Sequence, residues 1–343
     1  MMAKTVTFGE IMLRLSPPGH ERLFQSPVLS ATFGGGEANV AVSLAHFGCE
    51  SHYVTRLPVN PVGDAALKAL RAEGVRVEHV QRGGARLGIY FAETGASQRP
   101  STVVYDRAHS AVSEIQPGTV SWDEVLGGAA WFHTTGITPA LGASTAAVTR
   151  EALEAARRAG AKVSVDLNYR KKLWSEADAQ RTMRPLMALV DVVIANEEDL
   201  QAVLGVEVPR ADVTAGALDR AGYRQAAERV AAEFGASHVA VTLRESLSAS
   251  ENAWSAVLFE AATGAFHESQ RYVVHLVDRI GGGDSFAAGL IQGFVTGRDC
   301  ASALRFAVAA SALKQTIPGD FNRVSVNEVE RLAAGDASGR VQR

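Results

Sequence analysis

Three glycines run straight into an apolar helix at Gly281-Gly282-Gly283-Asp284-Ser285-Phe286, inside the longer stretch Asp278–Gly289. Bare glycine backbone lets main-chain N–H groups approach an anion closely, and the partial positive charge of a helix N-terminus favours a phosphate there. Asp284 falls in the first helical turn, where its carboxylate stays ionised and can point into the same space. A phosphate cradle with a carboxylate beside it is what phosphoryl transfer to an alcohol needs. The same letters also suit a tight turn closed by a capping aspartate. The position of the run, late in a chain of alternating strands and helices, favours chemistry.

Stepping along the chain shows what must hold this run in place. Val6–Phe8 reads as a first strand, and Glu37–Phe47 after Gly34-Gly35-Gly36 as a helix buried on more than one side. From about residue 127 a βα rhythm sets in, with strands at Ala130–His133, Lys162–Leu167, Asp191–Ala195 and His238–Leu243. Helices alternate with them at Ala143–Arg158, Ala177–Ala188, Arg224–Phe234 and Gly283–Phe294. Continuous runs such as Val192-Val193-Ile194 suit strands covered on both faces of a parallel sheet. Between about 12 and 33, and again between 86 and 106, hydrophobic residues alternate with polar ones amid Gly, Pro and Ser clusters. These two insertions predict short antiparallel strands forming a small sheet that covers a site. The expectation is one α/β domain over 1–330, doubly wound with a mostly parallel sheet flanked by helices and a small β-sheet lid, and 331–343 as a flexible tail.

Composition narrows the partners. The chain has 343 residues, 47% hydrophobic and 21% charged, with a net charge of −3, the balance of a soluble globular protein. Arg170-Lys171-Lys172 is too short for a nucleic-acid face, so no nucleic acid is expected. Cys49 and Cys300 cannot build a disulfide framework and suit a reducing cytoplasm. The amino-terminal residues lack a signal-peptide pattern, and Asp191 breaks the apolar run Met187–Ala195, so no membrane segment is expected.

Four blocks in order resemble the ribokinase-like, or PfkB, sugar kinases. Asp278-Arg-Ile-Gly-Gly-Gly-Asp284 is similar to that family's Asp-Thr-x-Gly-Ala-Gly-Asp, and Gly34-Gly35-Gly36-Glu37-Ala38-Asn39-Val40-Ala41 to its Gly-Gly-x-x-x-Asn-x-Ala block. Asn196-Glu197-Glu198-Asp199 resembles Asn-x-x-Glu, with Asp199 where Glu is usual, and Asp166-Leu-Asn168-Tyr-Arg170 the Asp-x-Asn-x-Arg strand end. The resemblance implies a ribokinase-like fold, Asp284 as the catalytic base and Gly281, Gly282 and Gly283 as the anion hole. It implies ATP and Mg²⁺ as cofactors, with Glu198 and Asp199 near the magnesium through water, and a monovalent cation such as K⁺ at Asp278. Asn168, Asn196, Thr242, Arg244, Gly281, Gly283 and Asn322 would meet the nucleotide. Thr242-Leu-Arg244 departs from the family's Thr-Leu-Gly, which leaves that loop's contacts open.

Gly88-Ile-Tyr90-Phe91, Tyr105-Asp-Arg107 and Gln315–Asn322 resemble the 2-keto-3-deoxygluconate kinases in particular. A carboxylate substrate calls for a guanidinium fork, which Arg107 and Arg170 would supply, with Gly34, Gly35, Tyr90 and Tyr105 fixing the sugar chain. The same arginines also read as surface residues paired to nearby acids. The expected partners are a small sugar acid and ATP, in a homo-oligomer. The rival activities are a kinase for a neutral ketose such as fructose or for a nucleoside, a non-catalytic sugar-acid binder, and an NAD-dependent dehydrogenase. Asp284 argues against the binder, and Asn39 stands where the dinucleotide fingerprint needs its third glycine. There is no P-loop motif, no zinc spacing among the nine histidines and no Gly-x-Ser-x-Gly elbow.

Overall fold

A computed structural model describes residues 2–208 and 220–336 of the chain. In chain order the strands are β1 (Lys4–Phe8), β2 (Met12–Ser16), β3 (Ser30–Gly34), β4 (Glu50–Val54), β5 (Arg56–Leu57), β6 (Gln81–Arg82), β7 (Gly88–Glu93) and β8 (Thr102–Asp106). They continue with β9 (Trp131–Thr135), β10 (Lys162–Asp166), β11 (Val192–Ala195), β12 (His238–Ser246), β13 (Glu251–Glu260), β14 (Ala265–Glu268) and β15 (Tyr272–His275). A nine-stranded sheet follows the order β14-β13-β12-β11-β10-β9-β1-β4, with β15 also on β13. From β12 to β4 every pairing is parallel, whereas β13 meets β12, β14 and β15 antiparallel.

The side-chain period of two explains why both faces need helices. Along β11, Val193 and Ala195 enter one core with helices Ala143–Arg158, Glu176–Met187 and Arg220–Phe234. Val192 and Ile194 enter the other, with helices Gly36–His46, Gly282–Val295, Cys300–Lys314 and Val326–Ala333. The doubly wound expectation therefore holds, and strand and helix limits agree to within a few residues. Helices Gly282–Val295 and Cys300–Lys314 pack closely because Gly289 and Gly293 bare their backbones. A Cβ there would lie 2.7 Å from Ala307 Cα and 2.6 Å from Ala303 Cβ. That contact fixes the direction in which the Gly281–Asp284 run points.

The lid is a separate four-stranded sheet in the order β3-β2-β7-β8, built from the two insertions. One pairing differs from expectation: β2 and β7 run parallel, while β2–β3 and β7–β8 are antiparallel. Between β3 and β7 the chain crosses helix Gly36–His46, β4 and helix Pro61–Ala72, a connection long enough to bring β7 back in the same direction as β2. The antiparallel edge β13–β15 was not anticipated either. The last helix continues to Ala333, beyond the expected domain end at 330, and the tail positions 337–343 lie outside the described residues. Among the described residues no helix is long and apolar enough to cross a membrane, and both cysteines are free.

Candidate active site

The carboxyl ends of the parallel strands and the lid enclose a cleft of about 540 Å³, within the usual range for small-molecule sites. Two glycine-led helices, Gly36–His46 and Gly282–Val295, begin at its floor. Gly281 caps the second with φ 85°, a left-handed angle that glycine adopts without strain. In the first turn Gly282 N–H donates to Arg279 O at 3.3 Å and Ser285 N–H to Gly281 O at 2.9 Å. The intervening amides, Gly283 and Asp284, have no partner within their own helix. A Cβ on Gly283 would meet nothing within 4 Å, so the space in front of these amides is open.

Asp284 stands between the two helix starts. Its Oδ2 accepts from Asn39 Nδ2 at 2.7 Å, and Asn39 Oδ1 accepts from Gly35 N–H at 3.2 Å. Asn39 thus ties the first glycine run to the candidate base, a positioning role that the Gly-Gly-x-x-x-Asn spacing could have revealed. Burial pushes the Asp284 carboxyl up to about 7; the negative charges of Asp320 and Glu37 add to this, while the Asn39 hydrogen bond and Arg170 oppose it. A carboxyl poised near neutrality suits proton transfer. Neighbouring Asp166 is held well above the ordinary carboxylate range, first by burial and then by the charges of Asp199 and Asp284.

The expected residues divide by how they are used. Gly35, Tyr105, Arg170, Asn168, Asn196, Glu198, Thr242 and Arg244 line the cleft with Gly281, Gly282, Gly283 and Asp284. Asn168 holds φ 41° at the end of β10, an angle asparagine tolerates better than most residues. Arg170 and Arg244 are exposed, and Thr242 Oγ1 donates to Ala195 O at 3.4 Å.

Other expected residues are engaged with partners inside the fold. Gly34 is buried, and a Cβ there would lie 2.0 Å from Asp320 Oδ2, so only glycine fits against that carboxylate. Tyr90 lines the cleft with its ring, but its hydroxyl donates to Asp320 at 2.6 Å. Arg107 also lines the cleft, and it directs Nε at 2.8 Å and also Nη2 to Glu10. Asn322 is buried, donating to Ser285 Oγ at 2.8 Å and accepting from Val324 N–H at 3.1 Å, away from the cleft. Asp199 lines the cleft and turns Oδ1 to Tyr169 N–H at 2.9 Å and Oδ2 to Asn196 N–H at 3.1 Å, which shapes the loop. Asp278 accepts from Ile280 N–H at Oδ1 and from Gly319 N–H and Arg14 at Oδ2, at 3.1, 3.0 and 2.6 Å. Sequence reading also missed Arg14, Glu10 and Asp320, which are buried charges paired across the fold.

Comparison with known proteins agrees with this architecture. A 2-dehydro-3-deoxygalactonokinase of Haloferax volcanii is 36% identical, with 99% of each chain covered. A 2-dehydro-3-deoxygluconokinase of Bacillus subtilis is 29% identical over 96% of this chain and 94% of the relative. The crystal structure of 2-dehydro-3-deoxygluconokinase from Thermotoga maritima superposes with a TM-score of 0.93 at 52% identity, covering 97% of this chain and 100% of the other. The family model described as pfkB family carbohydrate kinase matches residues 2–323, and the chain belongs to that family.

Proposed function

We propose that this protein transfers the γ-phosphoryl group of ATP to the terminal primary hydroxyl of 2-keto-3-deoxygluconate or its galactonate counterpart. The observation that carries the reading is Asp284, a carboxyl near neutral proton affinity beside an open helix N-terminus. Relatives that act on such sugar acids, at up to 52% identity, support the choice of substrate.

In the reaction Asp284 takes the proton of the attacking hydroxyl. The oxygen bonds to the γ-phosphorus as the bond to the β-phosphate oxygen breaks, and ADP leaves with that electron pair. The Gly283 and Asp284 amides stabilise the charge on the equatorial oxygens, a preorganised contribution that generally dominates such rates. Arg170, exposed in the cleft, forks onto the substrate carboxylate. Arg107 adds positive charge that Glu10 partly offsets. Tyr105, with the Arg107 guanidinium 5.3 Å from its ring centre, gives the sugar chain a flat wall.

The crowding of Asp166 with Asp199 and Asp284, and the exposed Glu198 nearby, suit a divalent cation. Asp166 and Glu198 would hold Mg²⁺ through its waters, where it would neutralise phosphate charge. Lid closure would exclude water as a competing acceptor. Exposed Phe24, Val28 and Val104 on the lid support pairing of two copies through it.

The deciding assay measures ADP release against sugar acids, neutral ketoses and nucleosides, with a parallel NAD absorbance trace. A preference for fructose would overturn the sugar-acid reading and leave the kinase standing. Turnover of NAD without ADP release would overturn both.

A further inference from the structure

Lys314 ends helix Cys300–Lys314, and its side chain is wholly buried at 0% exposure. Lysine is rarely buried to this degree unless it is paired. Here the partners are neutral: Nζ donates to the main-chain oxygens of Gly319 at 2.6 Å, Asp278 at 3.2 Å and Ile317 at 3.4 Å. Three acceptors match the three protons of an ammonium. A ring of main-chain carbonyls is also how proteins replace the hydration shell of a bare monovalent cation.

The cage adjoins the anion hole. A Cβ on Gly281 would lie 3.1 Å from Lys314 Cε and 2.2 Å from Asp320 O, so the cage wall and the glycine loop share one surface. Asp278 opens that loop, while Ile317 and Gly319 belong to the turn that follows the helix. The charge around it balances: Arg14 bridges the carboxylates of Asp278 and Asp320, and Lys314 supplies the second positive charge.

We propose that the Lys314 ammonium is a tethered monovalent cation, which occupies the carbonyl cage behind the anion hole and makes catalysis independent of K⁺. Lys314 is a positioning residue, since it acts by holding the 278–283 loop and the 317–320 turn in register. The expectation of K⁺ near Asp278 is thereby replaced by a cation within the chain. The catalytic part of the inference rests on the kinase reading of the cleft.

The test compares the full-length wild type, Lys314→Ala and Lys314→Met in alkali-free buffer, with tetramethylammonium chloride balancing ionic strength. Each is titrated with KCl, NH₄Cl and methylammonium chloride, and ADP release and thermal melting are followed. Wild type should not respond to K⁺ beyond tetramethylammonium. Lys314→Ala should lose about 10²-fold in kcat, the scale of removing one preorganised electrostatic partner, and regain at least about tenfold of it with K⁺, NH₄⁺ or methylammonium. Lys314→Met fills the hole without charge and should not be rescued. The melt needs no activity: K⁺ should raise the Tm of Lys314→Ala but not of wild type, because a cation bound only by the folded state stabilises it.

Stimulation of wild type by K⁺ would overturn the proposal. So would a folded Lys314→Ala with full activity, or one whose rate and Tm ignore all three cations. Should Lys314→Ala fail to fold in alkali-free buffer, recovery of its melting transition with K⁺ supports the cage, and no recovery overturns it. A wild type that phosphorylates nothing sinks the kinase reading, while the melts still decide the cage.

Discussion

On the wall beneath the lid, Arg14, Asp278, Asp320 and Tyr90 close on one another, and Arg107 closes on Glu10. On the opposite wall, Arg170 and Arg244 stand exposed, Glu198 faces solvent, and Asp284 carries one side-chain hydrogen bond. Both walls are rich in charge, yet they use it differently. Closed pairs hold the lid strands to the turn around Asp320, and their hydrogen-bonding capacity goes to each other. The open charges are less engaged, Arg170 giving Nη1 only to the neighbouring Tyr169 O, and the half-shielded carboxyl among them has its proton affinity shifted toward neutrality, a common mark of functional groups.

The largest break in this comparison should come at Asp284. Asp284→Asn keeps size and the Asn39 neighbour but removes the proton acceptor, so kcat should fall by roughly 10²–10⁴ with little change in the sugar KM. A near-normal kcat would move the base elsewhere. The wild-type pH profile is a second check. The base must be ionised, and its pKa is raised to about 7, so kcat/KM should drop about tenfold per pH unit below neutrality. The same raised value means that the native state holds a proton which the unfolded chain releases near pH 4. Asp284 therefore lowers stability as pH rises from about 4 to 7, and Asp284→Asn should raise the Tm at neutral pH.

On the closed wall the expected effect is on stability. Asp320→Ala leaves Arg14 buried against Asp278 alone, and breaking such a pair typically costs about 3–5 kcal/mol. Urea unfolding measures it, and a loss under about 1 kcal/mol would show that this wall is not held by its charges.

Arg170→Ala should do the reverse. Losing a charge-assisted hydrogen bond of about 1.5–3 kcal/mol should reduce kcat/KM for the sugar acid ten- to a hundredfold, with a smaller loss for fructose and an unchanged melt. Arg170→Lys keeps the charge but not the fork and should recover only part. Equal losses on both substrates would assign Arg170 to the nucleotide. The smallest effect is expected from Tyr90→Phe, about 1 kcal/mol of stability with the preference for acid over fructose intact, since its hydroxyl serves Asp320. A changed preference would put that hydroxyl on the substrate.

Much of this was legible because it is local. Three glycines before an aspartate at a helix start specify a backbone shape and a charge within one turn, and Val192-Val193-Ile194 specifies a strand covered on both faces wherever the chain goes. Gly36–His46, Gly282–Val295 and the lid insertions were legible for the same reason. The edge β13–β15 was not, because its strands carry no βα rhythm and are defined by their pairing.

By itself, then, the sequence determined the parallel core, the glycine-led helices and Asp284 at the start of one of them. Only the tertiary structure decided which charges are free. Arg14 and Asp320 lie 306 positions apart and meet at 2.8 Å, and Arg107 with Glu10 lie 97 apart. Lys314 reads in sequence as an ordinary basic residue in a helix's last turn, favourable there for the helix dipole, yet it points into a carbonyl cage. The physical reason is one of range. Periodicity and glycine placement act over a few residues of backbone, whereas the pairing of charges depends on which strands and turns the whole chain brings together.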